Sequence, residues 1–108
     1  DDCILINEKK MITETTLGNI FIVNQNQLIT PPLSDGCVDG VLRKNILSLK
    51  KFNIREKSLS FLDVLNAEEV FTTNVIKGVR WVLKCNNKSY NKSYSSDIIN
   101  EINSIFLI

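Results

Sequence analysis

An α+β fold, with strands and helices interspersed and hairpins among the strands, is predicted by three observations on the sequence. Short runs rich in β-branched and aromatic residues, separated by polar turn segments, fill the first third. A segment with apolar residues spaced i, i+4 and i+7 then interrupts the strand rhythm, and strand-like runs resume after it. The length of 108 residues suits one domain with a modest core, and no linker divides it.

Cys3 to Asn7 is a short apolar run leading into the polar turn Asn7-Glu8-Lys9-Lys10, and Met11 to Thr15 returns as its partner strand. Asn19 to Val23 is a further strand, Asn24 to Gln27 a turn, and Leu28 to Thr30 the returning partner. Pro31-Pro32 ends it, because neither residue has an N–H for a ladder. These four strands read as a β-meander. The loop Leu33 to Gly40 leads into an amphipathic helix over Val41 to Leu49, with Leu42, Ile46 and Leu49 on its apolar face and Val41 alongside. Lys50 and Lys51 close it, at the end where the helix dipole favours cations. Asn53 to Lys57 is a strand. Ser60 with Asp63 resembles a capping box for a short helix bearing Phe61, Leu62 and Leu65. Glu69 to Thr73 and Val79 to Leu83 are two more strands, joined by Asn74 to Gly78. Asn86 to Tyr94 is polar and reads as an exposed turn and edge. A last helix starts near Ser95 or Ser96, with Ile98, Ile99, Ile102, Ile105 and Phe106 on one face.

Composition excludes several classes of function. With 13 basic and 12 acidic residues the net charge is +1, without the basic excess of a nucleic-acid surface. The sequence contains no His, so Ser-His-Asp and Cys-His catalysis, an imidazole base and a His-ligated zinc are all excluded. Cys3, Cys37 and Cys85 are widely spaced and form no CxxC pair, which points to reduced thiols in a cytoplasmic protein with no metal site. No apolar run approaches the roughly 20 residues of a membrane-spanning helix. Asp1-Asp2 is neither a signal peptide nor an initiator Met, so the chain reads as a piece of something longer.

The junction Asp39-Gly40-Val41-Leu42 is the best candidate for chemistry. Gly lets a ligand approach the backbone, and the N–H groups of Val41 and Leu42 lack intrahelical partners, so a phosphate could accept from both. Alternatively Asp39 caps the helix and Gly40 only turns the chain, the reading that spacing alone favours; Asp39 would repel a phosphate unless its carboxylate points away. Glu14, in MITETT, is a buried carboxylate needing a cation if it points inward, or an ordinary solvated one if outward, which the pattern favours. Asn74 to Gly78 is either a plain turn or a second set of backbone donors for the same ligand. Arg43 either pins its helix by a salt bridge or is exposed. Cys37 is a reactive loop thiol or, more commonly for a free Cys, a small buried apolar group.

Three stretches, ETTLGNIFIV (Glu14 to Val23), LITPPLSDGCVDGVLRKNIL (Leu28 to Leu47) and AEEVFTTNVIKGVRWV (Ala67 to Val82), resemble in order and spacing the C-terminal half of the class IV aminotransferases. These fold-type-IV pyridoxal-phosphate enzymes include branched-chain and D-amino-acid aminotransferases and aminodeoxychorismate lyase. The resemblance implies a pseudo-barrel-like sheet with flanking helices, and makes residues 1–108 the larger, cofactor-binding domain, incomplete at its start. It matches Glu14 to the acidic residue that pairs with the pyridine nitrogen of pyridoxal 5'-phosphate. Gly40, Val41 and Leu42 match the helix N-terminus that cradles the cofactor phosphate, and Asn74 and Val75 match a second phosphate-binding turn. The family often has Thr where Leu42 stands, and Gly-Thr or Ser-Thr where Asn74-Val75 stands, so here the contacts implied are backbone ones. The Schiff-base lysine of the family falls upstream of residue 1, and Lys9 and Lys10 do not match it.

The implied activity is transfer of an amino group between an amino acid and a 2-oxo acid by a homodimer with small-molecule substrates, no nucleic acid and no membrane. One alternative is 4-amino-4-deoxychorismate lyase, which eliminates pyruvate to give 4-aminobenzoate; GCVDGVLR and Asn74 look closer to that branch. A second alternative is a non-catalytic module that keeps the fold.

Overall fold

The computed structural model describes residues 3–74, 78–82, 84–85, 88–90, 96–97 and 100–101. In chain order the elements are β1 (Ile4–Ile6), β2 (Ile12–Thr15), β3 (Asn19–Asn24), β4 (Gln27–Thr30), a 3-10 turn (Leu33–Asp35), α1 (Val41–Leu47), β5 (Asn53–Glu56), α2 (Phe61–Leu65), β6 (Glu69–Asn74), β7 (Gly78–Val82), β8 (Lys84–Cys85) and β9 (Lys88–Ser89). The class is the mixed α+β expected.

Strands β5-β4-β3-β6-β7 form one five-stranded sheet in that order, antiparallel except for the parallel pair β4/β5, while β1-β2 and β8-β9 are separate two-stranded sheets. The parallel pair follows from connectivity: β4 reaches β5 through α1, a crossover longer than any hairpin turn. The first four strands pair two by two as their turns dictate, yet they do not make one continuous meander. Between β2 and β3 only Thr15 and Gly18 bridge, so the chain folds over rather than extending the ladder. The β3–β4 hairpin closes through Gln25 (φ 50°) and Asn26 (φ 60°), the paired positive φ values of a two-residue hairpin turn matched to strand twist.

The central strand β3 is buried on both faces, which explains its unbroken apolar run. Ile20 and Ile22 join Ile12, Ile29, Val64 and Val70 in one cluster; Phe21 and Val23 join Leu28, Leu42, Ile46, Leu49 and Phe71 in another. Phe21 and Phe71, opposite each other on β3 and β6, stack with ring centroids 5.1 Å apart. Helix α1 thus covers one sheet face through the predicted Leu42, Ile46 and Leu49, whereas Val41 is exposed. The helix ends at Leu47, two residues short of expectation, and Leu49 follows in a tightened turn whose N–H donates to the Ile46 carbonyl at 3.0 Å. Helix α2 opens with the capping box read from the sequence: Asp63 N–H donates to Ser60 Oγ at 3.2 Å and Ser60 N–H to Asp63 Oδ2 at 2.8 Å.

Of the last predicted helix, Ser96, Asp97, Asn100 and Glu101 are helical; Ile98, Ile99, Ile102, Ile105 and Phe106 lie outside the described residues, as does most of the Asn86 to Tyr94 segment. Among the described residues no helix is long and apolar enough to cross a membrane.

Candidate functional site

The turn between β2 and β3, the loop entering α1 and the end of β6 enclose a cavity of about 240 Å³ at one end of the five-stranded sheet. Glu14, Gly40, Val41, Leu42 and Asn74, all singled out from the sequence, line it. So do Asn19, Val38 and Thr73, which sequence reasoning missed. Val75 lies outside the described residues.

Glu14 sits on β2 between Thr13 and Thr15, both buried, and is itself half-buried rather than fully solvated. The Val38 N–H donates to its Oε1 at 2.7 Å, and none of the ion pairs among the described residues involves it. The carboxylate is therefore fixed by a backbone donor and left without a cationic partner from the described residues. Among those lining the cavity it is the single ionisable side chain.

Gly40, not Asp39, is the N-cap of α1, in extended backbone at φ −65° and ψ 151° with no side-chain cap bond. Asp39 fails as a cap because cations further along the helix hold its carboxylate: Arg43 Nη1 lies 3.6 Å from Oδ1 and Lys44 Nζ 3.3 Å from Oδ2. That removes the repulsion an anion at Val41 and Leu42 would otherwise meet. The Leu42 side chain is buried in the core beneath α1, so its part in the cavity wall is its backbone. Space explains the Gly: a Cβ on Gly40 would stand 2.3 Å from Asn19 Oδ1.

Arg43, on the same first turn, is 2% exposed, pairs with Glu56 and donates from Nη2 to the Pro31 carbonyl at 3.1 Å. Of the two sequence readings, the salt-bridged one holds. It ties α1 to the end of β4 and to β5. Asn74 Nδ2 donates to the Leu17 carbonyl at 2.6 Å, so that side chain holds the β2–β3 turn. Cys37 is buried beside the Pro31 and Pro32 carbonyls; burial raises its thiol above the ordinary range, outweighing the nearby Arg43, which lowers it. That environment suits a small core residue, not a reactive thiolate.

Two features fit a hydrogen-bonding, anionic ligand. Thr73, 2% exposed, lines the cavity, and its buried Oγ1 has no hydrogen-bond partner among the described residues. The backbone of Gly40, Val41 and Leu42 at the helix start lines the same cavity, while Asn19 Oδ1 fills the side on which a Gly40 Cβ would stand.

Residues 1–85 match the family described as amino-transferase class IV. This chain belongs to the class IV aminotransferase family. A Thermotoga maritima protein named "Probable branched-chain-amino-acid aminotransferase" is 32% identical over 92 residues, 82% of this chain and 34% of its own length. The aminodeoxychorismate lyase of Vibrio harveyi is 30% identical over 81 residues, 72% of this chain and 30% of its own. The branched-chain amino acid aminotransferase structure from Escherichia coli superposes with a TM-score of 0.90 over 97% of this chain and 38% of that one. At 23% identity that last likeness speaks to the fold. The chain thus spans about a third of the length of the curated relatives it matches. Class IV aminotransferases are pyridoxal-phosphate enzymes.

Proposed function

We propose that the full protein is a pyridoxal-phosphate aminotransferase that moves an amino group between an amino acid and a 2-oxo acid, and that this chain supplies its cofactor-binding face. The observation that carries the reading is the cavity that Glu14, Gly40, Val41 and Leu42 share, with Thr73 on its wall. At about 240 Å³ the cavity is smaller than the roughly 300–1,000 Å³ of complete small-molecule pockets, consistent with further walls from the rest of the protein.

In this arrangement Glu14 would pair with the pyridine nitrogen and favour its protonated form, with Oε1 steadied by the Val38 N–H. The N–H groups of Val41 and Leu42 would donate to the phosphate at the start of α1, and the family resemblance adds Asn74 and Val75 as a second pair of contacts. When bound, the cofactor serves as an electron sink for the charge that develops at the substrate α-carbon. The family resemblance puts the lysine that would hold the cofactor upstream of residue 1; among the described residues lining the cavity, Glu14 is the single ionisable side chain. The working form in this reading is a cytoplasmic homodimer acting on small molecules.

The test is the visible spectrum of the full-length protein with pyridoxal phosphate, followed by amino transfer from a branched-chain amino acid to 2-oxoglutarate. A cofactor band that borohydride abolishes, with turnover, supports the proposal; no band in the intact protein rejects it in favour of a non-catalytic module. The similarity to the Vibrio harveyi lyase favours a second reading, elimination of pyruvate from aminodeoxychorismate. Pyruvate release without amino transfer would select it.

A further inference from the structure

Asn19 opens β3 and is 5% exposed, an amide in a place where the strand around it is apolar. Its two polar atoms face the two halves of the cavity wall. Nδ2 donates to the Val38 carbonyl at 2.7 Å, and the N–H of that same Val38 donates to Glu14 Oε1. Oδ1 faces Gly40 so closely that a Cβ there would stand 2.3 Å from it. The loop entering α1 is therefore clamped at Val38 from both sides, by Glu14 on β2 and Asn19 on β3, and Gly40 is seated against the second of these.

We infer that Asn19 is a positioning residue that sets the Glu14 carboxylate and the start of α1 at a fixed separation, acting through the Val38 peptide and the Gly40 Cα. The inference rests on the proposed cofactor site and deepens it: one buried amide on the rigid central strand couples the end that meets the ring nitrogen to the end that meets the phosphate. Nδ2 is bonded to the loop that carries cavity-lining backbone, and Oδ1 lies against Gly40 of the same loop. Such supporting partners orient the groups that touch a ligand without touching it themselves.

The experiment uses the full-length protein and reads the dissociation constant for pyridoxal phosphate by equilibrium dialysis, with the pH midpoint of the bound cofactor's visible band. Asn19→Asp keeps the shape but loses the Nδ2 donor; Asn19→Ala removes both contacts; Gly40→Ala forces its Cβ onto Asn19; and Glu14→Gln tests the site itself. We expect Asn19→Asp and Asn19→Ala each to weaken cofactor binding about tenfold, the scale of a lost buried hydrogen bond, and to move the pH midpoint in the direction Glu14→Gln moves it. Gly40→Ala weakens binding too, and Asn19→Ala combined with Gly40→Ala binds no worse than Gly40→Ala alone, because the clash is gone. An altered Glu14→Gln protein beside unchanged Asn19 variants, or strictly additive losses in the double variant, overturns the inference alone. An unchanged Glu14→Gln protein overturns the cofactor site and the inference together. Should Asn19→Ala fail to give a cooperative melt, the isosteric Asn19→Asp decides the case by its midpoint.

Discussion

Arg43→Ala offers the sharpest test of how this chain holds its helix. The side chain is 2% exposed, and its Nη2 donates to the Pro31 carbonyl at 3.1 Å while pairing with Glu56. Truncation leaves that buried carbonyl only the weak Cys37 Sγ donor at 3.8 Å, at a cost of about 1–3 kcal/mol, and opens a cavity costing about 2–3 kcal/mol more. The charge pairs add little. Glu56 and Asp39 are 46% and 40% exposed, so water screens them and each pair counts for less than about 1 kcal/mol. An opposing gain comes from the Arg43 Nε, buried with no partner, whose desolvation of about 1–2 kcal/mol the substitution relieves. The net is a loss of about 2–4 kcal/mol, or a urea midpoint lower by about 1–2 M at an ordinary denaturant slope. Urea denaturation followed by far-ultraviolet circular dichroism measures it. Arg43→Lys should fall between the two, because the ammonium cannot reproduce the planar fork that reaches Pro31 and Glu56 together. A midpoint for Arg43→Ala within about 0.3 M of the parent would refute the claim that this guanidinium fastens α1 to β4 and β5.

Three further outcomes follow from the same geometry. Ser60→Ala removes one half of the capping box on α2 and should lower stability by about 1 kcal/mol, seen as a small drop in Tm with the secondary structure unchanged. Gly18→Ala places a Cβ 2.0 Å from the Thr73 carbonyl, a backbone atom of β6 that cannot swing aside; the expected loss exceeds about 2 kcal/mol, and pyridoxal phosphate binding in the full protein weakens with it. Cys37, its thiol raised by burial, should resist iodoacetamide at pH 8 while exposed Cys3 reacts. For the linked stability the folded state holds the Cys37 proton more tightly than the unfolded chain does. Its contribution is intact below the ordinary thiol value of about 8.5 and is lost as pH rises beyond it, so Cys37→Ala should make the alkaline decline of Tm shallower.

The fold was legible wherever one residue pattern had one physical solution. The apolar run at β3, the two prolines after β4, the i, i+4, i+7 spacing of α1 and the Ser60/Asp63 box each admit few alternatives, and all are found, with α1 ending two residues earlier than read. Pairing beyond neighbouring strands was not legible. Nothing local to Ile12–Thr15 says that β2 leaves the ladder after Thr15, or that β6 inserts next to β3, because both depend on contacts far apart in sequence. Glu14 and Gly40 to Leu42, which line one cavity, were singled out by the resemblance, whereas spacing alone favoured a plain cap and a solvated Glu. The solvated reading of Glu14 erred because strand alternation treats each residue as facing either core or water, whereas this one faces a cavity edge and a backbone N–H. Asn19 and Thr73 escaped for a related reason: a polar residue at a strand end looks like a boundary until the partner strand is known. One weak signal existed, since Asn is depleted in strands and Asn19 begins an otherwise apolar one.

The same accounting changes what the absence of His means. Without an imidazole, a self-contained site would need some other group able to accept and return a proton near neutrality. The described cavity wall instead consists of fixed elements: a carboxylate held by a backbone N–H, a buried amide, a buried hydroxyl and the open start of a helix. In the proposed reading these groups set the electrostatic environment in which something else moves the proton, and they do so best when they are rigid. Rigidity is what the surrounding structure supplies. Arg43 fastens the helix start, Asn74 the β2–β3 turn and the Val38 peptide the carboxylate, each through bonds to elements of a sheet whose central strand is buried on both faces. In the proposed reading the face holds and polarises a cofactor without supplying the base, so cofactor binding and turnover should be separable by mutation. Changes to the wall described here should act first on binding and on the spectrum of the bound cofactor, and on rate only through them.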